Sequence, residues 1–157
     1  MIMSKFDLQI EKKDKIISKL EILLASENVS NLKTRKYHRN VESKRFKWMH
    51  EFFEELYNAS FERIDEIAER IRILWAYTKW TFKEYLELSI IKEEDKLEVS
   101  ESDMFDNLAE DKLAILDLMK KIIDLASENG DAWTESLLSG FVEDYEKDLW
   151  MIRSMNK

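Results

Sequence analysis

The chain contains no cysteine and no proline, and only two glycines and two histidines in 157 residues. Each shortage excludes something. Without cysteine there is no disulfide framework, thiolate nucleophile or cysteine-based metal site, so any metal must be held by His, Asp and Glu. A chain nearly free of proline and glycine has few tight turns, which excludes many-stranded β folds. No apolar run reaches the ~18 residues of a membrane helix. Residues 1–7 lack the apolar stretch of a signal peptide, so a cytoplasmic protein with no membrane partner is expected. The formal charge of −8, from 25 Lys plus Arg against 33 Asp plus Glu, repels nucleic acid unless basic residues gather locally. The densest basic stretch, Lys33, Arg35 and Lys36, reads as a solvated helix face.

What is present is 45% hydrophobic and 37% charged, with apolar residues recurring at three- and four-residue spacing through four long segments. That is the pattern of amphipathic helices with one buried stripe. The spacing predicts a first helix over about 7–37 that buries Ile16, Leu20, Leu23, Leu24, Val29 and Leu32, and a second over about 43–74 that buries Phe46, Phe53, Leu56, Ile64, Ile67 and Ile71. A short extra helix is expected over 81–89. An acidic linker over 91–103 follows, in which Ser100-Glu-Ser-Asp103 fits a capping box. The third helix runs to about 129, where Gly130 suits a left-handed terminating residue, and Asp131 caps a fourth that reaches about 155. Gly140, inside that helix, costs ~1 kcal/mol against alanine, which calls for either a close neighbour or a bend. The five tryptophans, Trp48, Trp75, Trp80, Trp133 and Trp150, read as core or interface anchors. With no internal repeat, residues 1–157 form a single domain. Because the long connection lies between helices two and three, the expected class is all-α: a ferritin-like four-helix bundle with a short extra helix in the crossover.

The candidate chemistry lies on the first two helices. Glu54 is one turn beyond His50, and Asp65 and Glu69 form a second pair four residues apart, only ~60° round the same helix. The two pairs are ~22 Å apart along the axis, so one helix cannot bring them to one metal ion. Two copies packed with their second helices antiparallel about a two-fold axis can do so, at two equivalent sites. His38, at the end of the preceding helix, can complete the set. Imidazole with carboxylate suits iron, zinc or manganese, and open positions among hard oxygen ligands favour Fe(II) chemistry. A di-iron centre within one chain needs two Glu-x-x-His motifs, but Arg35 and Lys47 stand three residues before the histidines.

Tyr37-His-Arg-Asn-Val41, then Phe46, His50, Phe53, Glu54, Leu56-Tyr57 and Asp65-Glu-Ile-Ala-Glu-Arg-Ile71, resemble the signature of the Dps family, the bacterial miniferritins. Lys83-Glu-Tyr-Leu-Glu-Leu-Ser89 resembles that family's crossover helix, and Asn129-Gly-Asp131 with Leu149-Trp-Met-Ile-Arg153 its last helix. The resemblance covers nearly the whole chain. It implies a dodecameric shell with ferroxidase centres at two-fold interfaces, each with a mono-iron or di-iron site shared between two subunits. His38 and His50 come from one subunit and Asp65 and Glu69 from its neighbour as the catalytic set, and Glu54 is a fifth ligand or a group that orients the others. It also implies a ferroxidase-type oxidoreductase that consumes Fe(II), preferably with hydrogen peroxide, and stores ferric mineral, protecting the cell against oxidative stress.

The sequence departs from the family in places. Arg39 stands where the family usually has Trp, with Tyr37 or Trp48 as possible substitutes, and Leu74-Trp-Ala-Tyr77 replaces a Gly-Gly turn. Ala132 and Ser136 occupy positions that commonly carry pore carboxylates, leaving Glu128, Asp131 and Glu135 as nearby acids. Twelve copies at −8 would carry about −96, so direct DNA binding is not expected. The alternative is a shell of the same kind with weak or no ferroxidase activity, acting as a metal-binding, structural or nucleoid-associated protein.

Overall fold

The computed structural model describes residues 5–157. Five helices follow in order: α1 Lys13–Asn40, α2 Phe46–Ile73, α3 Phe82–Leu88, α4 Glu101–Glu128 and α5 Ala132–Met155. Short connections pair α1 with α2 and α4 with α5, α1 also packs on α4, and the crossover carries α3 against α1. This is an all-α four-helix bundle with one short extra helix.

The first helix begins six residues later than its spacing predicts. Gln9 and Lys12 take left-handed backbone, φ 55° and 48°, so the segment before α1 turns instead of coiling. Asp7 Oδ1 accepts from the Gln9 amide at 2.9 Å, and the Glu11 amide donates to the Asn129 carbonyl at 3.0 Å, tying this segment to the end of α4. At its other end α1 continues through His38 to Asn40.

Each later boundary has a local cause. Thr81 and Glu84 form a full capping box at α3, while Ser100 caps α4 through the Asp103 amide alone. Gly130 takes φ 77°, and the Asp131 amide reaches back to the Ala126 carbonyl at 2.9 Å, a Schellman closure. The same closure ends α2, where the Ala76 amide bonds the Ile71 carbonyl at 3.2 Å, but the left-handed residue there is Trp75, at φ 70°. Here a bulky side chain takes the left-handed position that glycine fills after α4. A Cβ at Gly140 would meet nothing within 4 Å, so no neighbour among the described residues explains that glycine.

Two apolar clusters fill the bundle. One runs from Ile16 and Leu20 through Ile64, Ile67 and Ile71 to Ile115, Met119, Ile122 and Leu138. The other, at the end where α1 meets α2, joins Tyr37, Met49, Phe52, Phe53, Phe105 and Leu108. Two expected core residues lie outside them: Leu32 is 45% exposed and Phe46 46%. The inward positions of α1 near Leu32 are instead the polar Glu27, Ser30, Asn31 and Thr34, which turns Leu32 outward. All five tryptophans are exposed to solvent on this chain, so none is a core anchor.

Candidate metal centre

The α1–α2 hairpin brings His38, in the last turn of α1, onto His50, in the second turn of α2. Their rings stack at 3.6 Å with 18° between planes. Nδ1 of His38 lies 2.7 Å from the His50 backbone oxygen, and Nδ1 of His50 lies 2.8 Å from the His38 backbone oxygen. A carbonyl oxygen only accepts, so each Nδ1 must carry the hydrogen. Both Nε2 atoms are thereby left to offer their lone pairs, the tautomer that an imidazole ligand needs. No motif in the sequence signals this reciprocal lock, because it depends on how closely the hairpin closes.

Rings flank the pair on both sides. Phe46 stacks on His50 at 5.1 Å, and Tyr57 meets His38 edge-on at 5.2 Å. His38 is buried and His50 half-buried. Glu54, Asp65 and Glu69 lie on α2 with exposed side chains, and among the described residues no three His, Asp or Glu come together to hold one metal ion. One chain therefore presents an imidazole pair near the start of α2 and a carboxylate pair roughly 22 Å further along it.

The aromatic candidates beside the site are differently placed. Tyr37 packs on Phe53 at 6.2 Å and donates its hydroxyl to Glu94 Oε2 at 2.9 Å; burial, above all, pushes its pKa above the ordinary tyrosine value. Trp48 stacks on Phe52 at 5.5 Å, with the Arg45 guanidinium over its ring. Arg39, exposed at the end of α1, lines a cleft of about 910 Å³ with Val41, Phe46, Leu97 and Val99.

Deeper in the bundle, four helices contribute to a polar cluster. Glu27 accepts from Ser60, Arg63 and the Tyr145 hydroxyl, and Lys112 Nζ pairs with Asp148 at 2.9 Å. The Tyr145 ring lies between the Arg63 guanidinium, at 4.9 Å, and the Lys112 ammonium, at 4.1 Å. Burial works against the Arg63 charge, but Glu27, Tyr145 and Asp148 outweigh it and hold the pKa above the usual arginine value. Burial draws Lys112 below its usual value against the attraction of Asp148. The cluster's carboxylates thus face two cations of the chain itself.

Asp131 is likewise committed. It is buried, caps α5 through the Thr134 amide at 2.9 Å, and accepts from Arg70 Nη2 at 2.7 Å and Thr134 Oγ1 at 2.6 Å. Both of its oxygens are engaged by donors of the chain itself. Glu128 is exposed and Glu135 half-exposed.

The sequence profile of the ferritin-like domain family matches residues 17–157. DNA protection during starvation protein 2 of Bacillus anthracis is 37% identical over 139 residues, which is 88% of this chain and 94% of that protein. The chain belongs to the ferritin-like family, among its Dps proteins. The Dps crystal structure from Vibrio cholerae, described as a member of a superfamily of ferritin-like diiron-carboxylate proteins, superposes with a TM-score of 0.89. Its identity is 34%, over 92% of this chain and 91% of that one. The Staphylococcus aureus Dps structure gives 0.89 at 30% identity over 94% and 98%. Against that Dps frame, the hairpin end that carries the stacked imidazoles lies inside the matched span. Among the described residues no helix is long and apolar enough to cross a membrane.

Proposed function

We propose that this Dps protein stores and detoxifies iron in the cytoplasm. It takes up Fe(II), oxidises it with hydrogen peroxide at centres shared between two subunits, and keeps the ferric product as mineral inside a hollow dodecamer. The observation that carries the reading is the His38–His50 pair, whose Nδ1 atoms are both engaged, so that both Nε2 atoms carry the lone pair of the neutral ring. Iron is substrate and cargo here. The imidazoles bind and orient it from one side, and Asp65 and Glu69 of a neighbouring copy supply the carboxylates. Glu54, one turn beyond His50, is a further ligand or orients the others. Carboxylates favour the harder Fe(III), while neutral imidazoles keep the site's charge low enough for the product to move on. Two Fe(II) ions give one electron each to a peroxide molecule, which takes up two protons and leaves as two waters, so no hydroxyl radical is released.

The separation of the two pairs supports a shared site, since antiparallel α2 helices of two copies bring opposite ends together. Large apolar side chains left exposed on one chain, among them Trp75, Tyr77, Trp80 and Phe82, support burial against neighbouring copies. The charge of −8 per chain supports DNA protection by removal of the reagents, with no direct binding. A second reading rests on Arg39: a shell that holds metal but oxidises it poorly. Anaerobic loading with Fe(II) followed by stoichiometric peroxide, with ferric absorbance and elution size read on the same sample, separates the two. Fast oxidation in a large hollow particle supports the first reading, and a particle that oxidises iron no faster than buffer supports the second.

A further inference from the structure

The rings around the imidazole pair form a continuous row, stacked from Phe46 to His38 and closed edge-on by Tyr57. In order they are Phe46, His50, His38 and Tyr57, spaced 5.1, 3.6 and 5.2 Å between centroids. Tyr57 is backed in turn by Phe61, edge-on at 6.2 Å, and the Arg35 guanidinium lies over Phe61 at 5.6 Å. Phe46 is the anomaly. Its apolar spacing assigns it to the core, yet it is 46% exposed on this chain and stacks on His50.

A hydrogen bond from Nδ1 fixes one atom of an imidazole but leaves the ring able to swing about that bond. Rings packed against the pair, one stacked and one edge-on, oppose that swing. His38 and His50 each shield one face of the other; Phe46 stacks on His50, and Tyr57 meets His38 edge-on. We infer that Phe46 and Tyr57 are positioning residues for metal: they clamp the imidazole pair from its two ends and keep both Nε2 atoms presented together before any ion arrives. The inference rests on the proposed use of His38 and His50 as ligands, and it assigns the clamp to the aromatic rings, not to apolar bulk. Preorganised ligands bind more tightly because ordering them costs nothing at the moment of binding.

The test is Co(II) titration of the assembled protein, read by its d–d absorption, on Phe46→Leu, Tyr57→Leu, Tyr57→Phe and His50→Ala. Leucine keeps apolar volume and removes the ring. Aromatic contacts of this kind correspond to about two- to tenfold in an equilibrium constant, so each leucine variant is expected to bind Co(II) two- to tenfold more weakly, with an altered d–d band. Elution size and thermal midpoint are expected to stay near the parent's, and Tyr57→Phe, which keeps the edge contact, is expected to match the parent. Parental affinity and spectrum in both leucine variants, with binding lost in His50→Ala, would overturn the clamp and leave the ligand assignment standing. Undiminished binding in His50→Ala would overturn both. Tyr57 is half-buried; if its leucine variant fails to assemble, Phe46→Leu, on an exposed side chain, decides alone.

Discussion

Replacement of Asp131 by alanine is expected to be among the most damaging single changes outside the imidazole pair. The carboxylate is buried and serves three donors: the Arg70 guanidinium, the Thr134 amide at the start of α5, and the Thr134 hydroxyl. Loss of an N-cap alone costs about 1 kcal/mol. The larger effect is on Arg70, 3% exposed and also over the Trp133 ring at 5.1 Å, whose charge would stay buried with no counter-ion. Breaking a buried pair from one side costs about 3–5 kcal/mol, and because the same carboxylate serves both purposes the two losses overlap. Asp131→Ala should therefore lower stability by about 3–5 kcal/mol. The assay is guanidinium-induced loss of the helical far-UV signal at fixed subunit concentration. Arg70→Met combined with Asp131→Asn, which removes both charges and keeps a capping side chain, should recover a large part of the loss, since an uncharged, packed replacement for a buried pair is often near neutral. An Asp131→Ala protein within about 1 kcal/mol of the parent, below the cost of an unpaired buried charge, would refute the reasoning.

Alkaline titration and two glycines supply further predictions. Burial pushes the tyrosine hydroxyls of Tyr37 and Tyr145 well above their ordinary value and that of Tyr85, which has no hydrogen-bond partner among the described residues, up to about 12. A folded-state pKa raised above the unfolded value of 10.0 contributes stability that is fully present below pH 10 and is lost as pH rises toward the folded value. The absorbance of these three tyrosinates at 295 nm should therefore appear only with unfolding above pH 10; their gradual ionisation in the native protein would contradict it. Gly130→Ala should destabilise by about 1–2 kcal/mol, because φ 77° is left-handed. Gly140→Ala should stabilise by about 1 kcal/mol, read as a raised thermal midpoint, because its Cβ meets open space. Disrupted assembly in the Gly140 variant would instead show that another subunit approaches there.

Much of the fold was legible because its cause is local. The stripes Ile16–Leu20–Leu23 and Ile64–Ile67–Ile71, the glycine after α4 and the Asp131 cap all act within a few residues, and each has the role its spacing predicts. Leu32 failed because the second half of α1 faces inward with polar groups whose partners are distant in sequence: Glu27 with Ser60, Arg63 and Tyr145, and Asn31 with the Tyr57 carbonyl. An amphipathic pattern is blind to polar residues that are satisfied inside. Phe46 failed for the opposite reason, being apolar but placed over His50. The early start predicted for α1 failed because left-handed backbone at Gln9 and Lys12 has no glycine or proline to announce it. At the site, the spacing of His50, Glu54, Asp65 and Glu69 was readable along one helix, whereas the reciprocal Nδ1 bonds depend on the hairpin's closure.

The central claim is that each oxidation centre takes its imidazoles from one chain and its carboxylates from another, and co-assembly of two inactive variants tests it most directly. His50→Ala and Asp65→Ala subunits, each assembled alone, should oxidise Fe(II) with peroxide no faster than buffer. Dissociated, mixed in equal amounts and reassembled, they should regain about a quarter of the parental centres, since half of random two-fold pairs are mixed and each mixed pair keeps one intact site of its two. Recovery of that size in the rate of ferric absorbance is the predicted result. Mixed particles of full size that stay as inactive as either variant alone would contradict the shared centre.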